Sequence, residues 1–178
     1  LLLASSLFFS YPAIAQPVIT DVDLALVLVV DTSESVDPSE FDLQRAGLAS
    51  AFIEPEIIQA ITNGALGRIA VAIVDFASLA KIAVPWMIVG DKNTADQLSA
   101  AIALSPRDTF LGDYTSIASG ILLAEKMIEA APYRATRRVI DVSGDGSNNL
   151  DAQDGGNLDT AKEIARTLKI TINGLPIL

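Results

Sequence analysis

A chain of 178 residues with 51% hydrophobic composition has the size of one domain with a sizeable core and leaves little room for two. Its 22 acidic and 12 basic residues give a net charge of −10, which argues against nucleic acid, whose phosphates need clustered Lys and Arg, and favours a cation or a basic protein face as partner. With no Cys and no His, disulfides, thiolate and imidazole metal sites and a Ser-His-Asp triad are excluded.

The apolar stretch Leu1 to Ala15 ends in Ala13-Ile14-Ala15, a small-x-small pattern that predicts a signal peptide cut before Gln16. It falls short of the roughly 20 apolar residues that cross a bilayer. It also lacks a starting Met and a basic flank, as expected of a leader missing its first residues. Export of a Cys-free chain points to a periplasmic or secreted protein, not one that spans the membrane once the leader is gone. The domain is expected over residues 22–178, with its final helix and edge strand missing.

Leu24 to Val30 is an unbroken apolar run ending on Asp31, the pattern of a central parallel strand covered on both faces. Asp37-Pro38-Ser39-Glu40 predicts a helix start with Asp37 as cap and Glu40 reaching back, and Pro55 predicts a break near Glu54. Arg68–Phe76 and Lys81–Val89 are expected to pair as a hairpin, with Pro85 pushing the second strand to the sheet edge. Thr94 with Gln97 predicts a capped helix ending near Ser105-Pro106. An amphipathic helix is expected over Thr115 to Ala130, with Ile117, Ile121, Ala124 and Ile128 on one stripe. A strand at Arg138–Ser143, a helix at Leu158–Leu168 and a strand at Ile170–Asn173 complete the alternation. Such alternation predicts an α/β fold: a doubly wound, mainly parallel sheet with helices on both faces and one antiparallel edge strand.

Ligands of such sheets lie beyond the carboxyl ends of the strands, where strand order reverses. There Asp31-Thr32-Ser33-Glu34-Ser35 offers a carboxylate and two hydroxyls at alternate positions, and Asp145 follows a second strand between Gly144 and Gly146. If those strands are neighbours, Asp31 and Asp145 meet. Carboxylates and hydroxyls suit a hard divalent cation. An incomplete shell would leave a direction open for an acidic side chain from outside.

Asp31-x-Ser33-x-Ser35 after a buried strand resembles the Asp-x-Ser-x-Ser motif of the von Willebrand factor A (VWA) fold. Thr115, in Gly112-Asp113-Tyr114-Thr115-Ser116, resembles that family's loop threonine, and Asp145 in Ser143-Gly144-Asp145-Gly146 its final aspartate. The phrases VDTSESVDP, VIDVSGDG and ITINGLPI resemble a bacterial VWA-like family of unknown function. The resemblance covers residues 22–178. It implies a metal-ion-dependent adhesion site in which Ser33 and Ser35 coordinate directly while Asp31, Thr115 and Asp145 act partly through water. The implied ion is Mg²⁺, with Mn²⁺ or Ca²⁺ as alternatives, and the implied role is binding an acidic protein partner, not catalysis. Glu34 and Gly144 depart from the usual motifs, which carry Gly and Thr there. Glu34 adds negative charge beside the ion.

Taken singly, these residues have plain structural uses: Asp and Ser in turns, Thr115 as a helix cap, Asp145-Gly146 as a turn. Asp75 and Asp141 fit solvated strand ends or paired buried carboxylates, and Trp86, Phe110 and Tyr114 fit either core or a partner groove. A phosphoryl-accepting Asp31 with Mg²⁺ is disfavoured because Ser33 stands where that chemistry wants a second Asp. Ser78-x-x-Lys81 with Ser147-Asn148-Asn149 resembles the penicillin-binding pattern, but it falls between strands and no Lys-Thr-Gly follows. A scaffold domain without metal is the remaining alternative.

Overall fold

The computed structural model describes residues 19–153 and 156–176, so the expected leader and its cleavage point lie outside the described residues. In chain order the elements are β1 (Thr20–Asp31), α1 (Pro38–Ile53), α2 (Pro55–Thr62), β2 (Ile69–Phe76), β3 (Ala80–Val89), α3 (Lys92–Leu104), α4 (Ile117–Glu129), β4 (Tyr133–Gly144), α5 (Leu158–Leu168) and β5 (Thr171–Pro176), with a single 3-10 turn at Thr109–Leu111. The strands form one sheet in the order β3-β2-β1-β4-β5. All neighbours are parallel except β2 and β3, so the antiparallel strand lies at the edge as Pro85 predicts. The β2–β3 pairing slips between Val71↔Met87 and Ile73↔Val84, leaving Pro85 and Trp86 opposite Ala72 as a bulge.

The uninterrupted apolar runs occupy the middle of the sheet because both faces are covered. On one face Val27, Val29, Ala72, Val74, Ile140 and Val142 pack against α4 and α5 through Ile121, Ala124, Ile128, Ala161 and Ala165. On the other, Val30, Val71 and Ile73 pack against α1, α2 and α3 through Ala49, Phe52, Ile61, Leu98 and Ile102. Gly120 brings α4 close to the sheet: a Cβ there would lie 2.5 Å from Val29 Cγ1 and 3.2 Å from Phe76 Cβ. That close approach fixes where the start of α4 sits relative to β1.

Helix α1 begins as its sequence predicts. Asp37 Oδ1 accepts from the Ser39 and Glu40 amides at 2.7 and 2.9 Å, and Glu40 Oε2 accepts from the Asp37 amide at 2.8 Å. Glu54 is extended (φ −65°, ψ 131°), as a residue before proline prefers, and Pro55 opens α2. Helix α3 corrects one expectation: Asp91 is its cap, not Thr94. Asp91 Oδ1 accepts from the Thr94 amide at 2.8 Å and Thr94 Oγ1 accepts from the Asp91 amide at 3.0 Å, so an equally good capping residue three positions earlier takes the role.

Among the described residues, one carboxylate of the core has both of its oxygens without a hydrogen-bond partner. Glu125 of α4 is 2% exposed and lies against α5, without a hydrogen bond of good geometry to either carboxylate oxygen. Burial pushes its pKa from the ordinary 4.5 to about 7, against a slight downward pull from the Ala165 backbone. A raised folded-state pKa means that this carboxyl contributes stability below 4.5, which is lost as pH rises to about 7. Replacing Glu125 with Leu is therefore expected to stabilise the fold more at pH 8 than at pH 5, with a difference of at most about 3 kcal/mol. Urea unfolding at the two pH values checks this, and equal shifts at both would contradict it.

Candidate metal centre

Strand β1 lies between β2 and β4, so its carboxyl end is the point where the chain's crossovers diverge to opposite faces. Val30 pairs with Ser143, which sets Asp31 beside Gly144. The start of α4 closes the third side, since the Ser116 amide donates to Ala77 O at 2.8 Å just beyond β2.

Five side chains singled out from the sequence come together here. Asp31 Oδ1 accepts from the Ser33 amide at 2.9 Å. Thr115 Oγ1 donates to Ser33 Oγ at 3.2 Å, Ser33 Oγ and Ser35 Oγ are 3.2 Å apart, and Ser35 Oγ donates to Asp145 Oδ1 at 2.9 Å. Asp31, Ser33 and Thr115 form a buried floor, while Ser35 and Asp145 form an exposed rim. Thr115 does not cap α4; Ser116 does, its Oγ accepting from the Ser119 amide.

The donor set suits a hard cation. Every side-chain donor is oxygen, two carboxylates and three hydroxyls, and among the described residues no three His, Cys, Asp or Glu side chains cluster. The most telling atom is Asp31 Oδ2, wholly buried and without a hydrogen-bond partner. Burial raises the Asp31 pKa and the nearby Asp145 adds to that, against a downward pull from the Ser33 amide and hydroxyl and a smaller one from Arg107. An unpaired buried carboxylate oxygen is costly, and a positive ion beside it would remove the cost.

Gly144 accounts for the departure from threonine at that position. A Cβ there would stand 2.8 Å from Asp31 Oδ2 and 3.2 Å from Asp31 Cβ, so a side chain would have to displace the carboxylate. Gly144→Ala is expected to weaken divalent-cation affinity about tenfold, or about 1.4 kcal/mol. Titration calorimetry with Mn²⁺ checks it, and unaltered affinity would show that Asp31 need not hold its place.

Asn148 and Asn149, which the sequence marks only as part of an element like the penicillin-binding S-x-N, serve the site loops instead. Asn149 Oδ1 accepts from the Thr115 amide at 2.8 Å while its own amide donates to Thr115 O at 3.0 Å, and Asn148 Oδ1 accepts from the Ala118 amide at 3.3 Å. They clamp the loop carrying Asp145 onto the loop carrying Thr115. The sequence signal for this clamp is the Asn-Asn pair, a turn-prone dipeptide after Gly-Asp-Gly.

The other singled-out residues lie elsewhere. Asp75 is a paired buried carboxylate that accepts from Arg45, and Asp141 accepts from Asn173 Nδ2 at 2.6 Å. Ser78 Oγ accepts from the Tyr114 amide at 3.0 Å and Lys81 pairs with Asp108 at 2.6 Å, so each is engaged away from the other. Trp86 packs on the core with its N–H on Met127 O, whereas Phe110 and Tyr114 are 90% and 62% exposed.

No curated protein matches the chain. Among solved structures, proximal thread matrix protein 1 (PTMP1) from the mussel byssus, with a zinc-occupied MIDAS motif, is similar with a TM-score of 0.62 and 16% identity over 88% of this chain. PilB minor pilin from Streptococcus sanguinis aligns over 90% of the chain with a TM-score of 0.60 and 17% identity. An aerotolerance-related membrane protein from Bacteroides fragilis aligns over 86% with a TM-score of 0.57 and 22% identity. The chain spans 38% of the PTMP1 structure, 51% of the pilin and 67% of the Bacteroides protein. These likenesses establish a fold of the VWA type. A family model described as "Protein of unknown function (DUF1194)" matches residues 21–178, and the chain belongs to that family.

Proposed function

We propose that residues 22–178 form an exported, divalent-cation-dependent protein-binding domain whose ion is held by Asp31, Ser33, Ser35, Thr115 and Asp145. The observation that carries this reading is the unpartnered, buried Asp31 Oδ2 at the floor of a hydroxyl chain running from Thr115 through Ser33 and Ser35 to Asp145. When bound, the ion supplies a positive centre that accepts a carboxylate from outside. The chain's own residues do the rest: the floor fixes the ion's depth, and the exposed rim leaves one side open to a partner's acidic side chain. Mg²⁺ is the expected ion because carboxylate, hydroxyl and water oxygens suit it, with Mn²⁺ and Ca²⁺ as alternatives. Zinc in the MIDAS motif of PTMP1 supports a divalent cation in general.

Burial of Asp31 argues against its use as a phosphoryl acceptor, since a nucleophile must be approached in line. The leader pattern of residues 1–15 supports export. A pull-down from the source cell's envelope, in Mg²⁺ and again in chelator, tests the whole reading. Partners captured only with Mg²⁺ and released by an excess of acidic peptide are expected. Capture indifferent to chelator would favour a scaffold that works without metal, and metal-dependent phosphatase turnover would favour an enzyme.

A further inference from the structure

We infer that Arg107 is the positioning residue of the cation centre, holding the Asp31–Ser35 turn from behind so that its side-chain oxygens converge. The inference rests on the cation reading above and assigns a role to a residue outside the ligand set.

Arg107 follows α3, eight residues before Thr115 and 74 residues after Ser33. Its Nη2 nevertheless donates to Thr32 O at 3.0 Å and to Ser33 O at 2.9 Å. Those carbonyls belong to the two peptide units between Asp31 and Ser35 that set where the Ser33 side chain and the following residues point. While Ser33 O faces Arg107, Ser33 Oγ faces Thr115 and Ser35. Rotating either peptide unit would swing an oxygen out of the cluster, and Nη2, a charged donor bonded to both carbonyls at once, resists that rotation.

The guanidinium is itself anchored. It lies 5.8 Å from the ring centroid of Phe41, in the first turn of α1, and the same ring carries Arg45 at 4.8 Å. Arg45 in turn is ion-paired with the buried Asp75 of β2. The row Arg107, Phe41, Arg45, Asp75 therefore ties the turn to the sheet. Arg107 also lines three clefts, of about 490, 320 and 390 Å³.

Position and charge pull in opposite directions, which makes the test decisive. A positive group near the site should repel an incoming cation, so if charge were its main effect, removing it would tighten binding. If position is its main effect, removing it loosens binding. Titration calorimetry with Mn²⁺ alone on the wild-type domain, Arg107→Met and Arg107→Lys reads the difference, with thermal melting as a check on folding. We expect Arg107→Met to bind at least fivefold more weakly and Arg107→Lys, which keeps charged donors in reach of the carbonyls, to recover most of the loss. Amide hydrogen exchange in metal-free protein at Ser33, which donates to Asp31 Oδ1, and at Val36, which donates to Ser33 O at 3.1 Å, should quicken in Arg107→Met and not in Arg107→Lys. Mn²⁺ affinity in Arg107→Met equal to or tighter than wild type would overturn this inference and leave the cation reading standing. Absence of Mn²⁺ binding in the wild type would instead sink the cation reading, and this inference with it.

Discussion

Asp31→Asn is expected to lose roughly a hundredfold or more in divalent-cation affinity, about 2.7 kcal/mol, while the metal-free protein melts no lower than wild type. The two halves follow from one fact: Asp31 is 0% exposed and one of its oxygens has no partner. Without an ion the buried negative charge is a cost to the fold, and a neutral side chain of the same shape removes it. With an ion that charge is the deepest attraction in the site, and removing it removes the binding. Wild-type protein should gain about 2.7 kcal/mol at a free-ion concentration a hundred times its dissociation constant, and Asp31→Asn almost none. Calorimetric melting with and without Mn²⁺ reads both halves; a variant still stabilised by Mn²⁺ like the wild type would remove Asp31 from the centre.

The largest stability effect is expected at Asp75. Asp75 and Arg45 are 2% and 4% exposed and ion-paired, with the Arg45 Nε and Nη1 lacking further partners. Burial raises the Asp75 pKa despite the attraction of Arg45, so the surroundings tax the charge and the pair only offsets that tax. Asp75→Ala leaves a guanidinium buried without its counter-ion and should destabilise by about 3–5 kcal/mol. At about 2–4 °C per kcal/mol for a domain of this size, the melting temperature should fall on the order of 10 °C. The double variant Arg45→Met, Asp75→Leu should recover much of that loss, because apolar side chains of similar volume need no partner. A double variant as unstable as Asp75→Ala would mean that packing, not charge, decides the position.

Much of the fold is legible because its centre follows a simple rule. Strand β2 is buried along all eight residues, and its continuous apolar run announces it. The polar ends of strands do not announce themselves: β1 starts at Thr20 and β4 at Tyr133, where Asp21 and Arg134 face each other across the ladder and pair at 2.7 Å. Nothing apolar marks such an overhang. The Thr94 expectation failed for a related reason, since Asp91 and Thr94 belong to one capping box and the sequence does not rank them.

Asp31, Ser33, Ser35 and Asp145 were legible because they sit at or just beyond the carboxyl ends of β1 and β4, where spacing along the chain maps onto position in space, whereas Thr115 was legible only through its resemblance to the VWA loop threonine. Arg107 and the clamping role of Asn149 were not, because each acts through backbone atoms of a distant loop, and a backbone carbonyl or amide has no signature in a sequence. Phe110 and Tyr114 were left between core and groove by composition alone, and exposure settles that neither is core.

Crystals of the domain soaked in Mn²⁺ and measured for anomalous scattering test the central claim most directly. The account predicts one strong peak within coordination reach of Asp31 and Ser33, with Ser35, Thr115 and Asp145 bound to it directly or through water. A crystal in which Mn²⁺ at millimolar concentration leaves that point empty, or binds only at surface carboxylates such as Glu34 and Asp113, would contradict it.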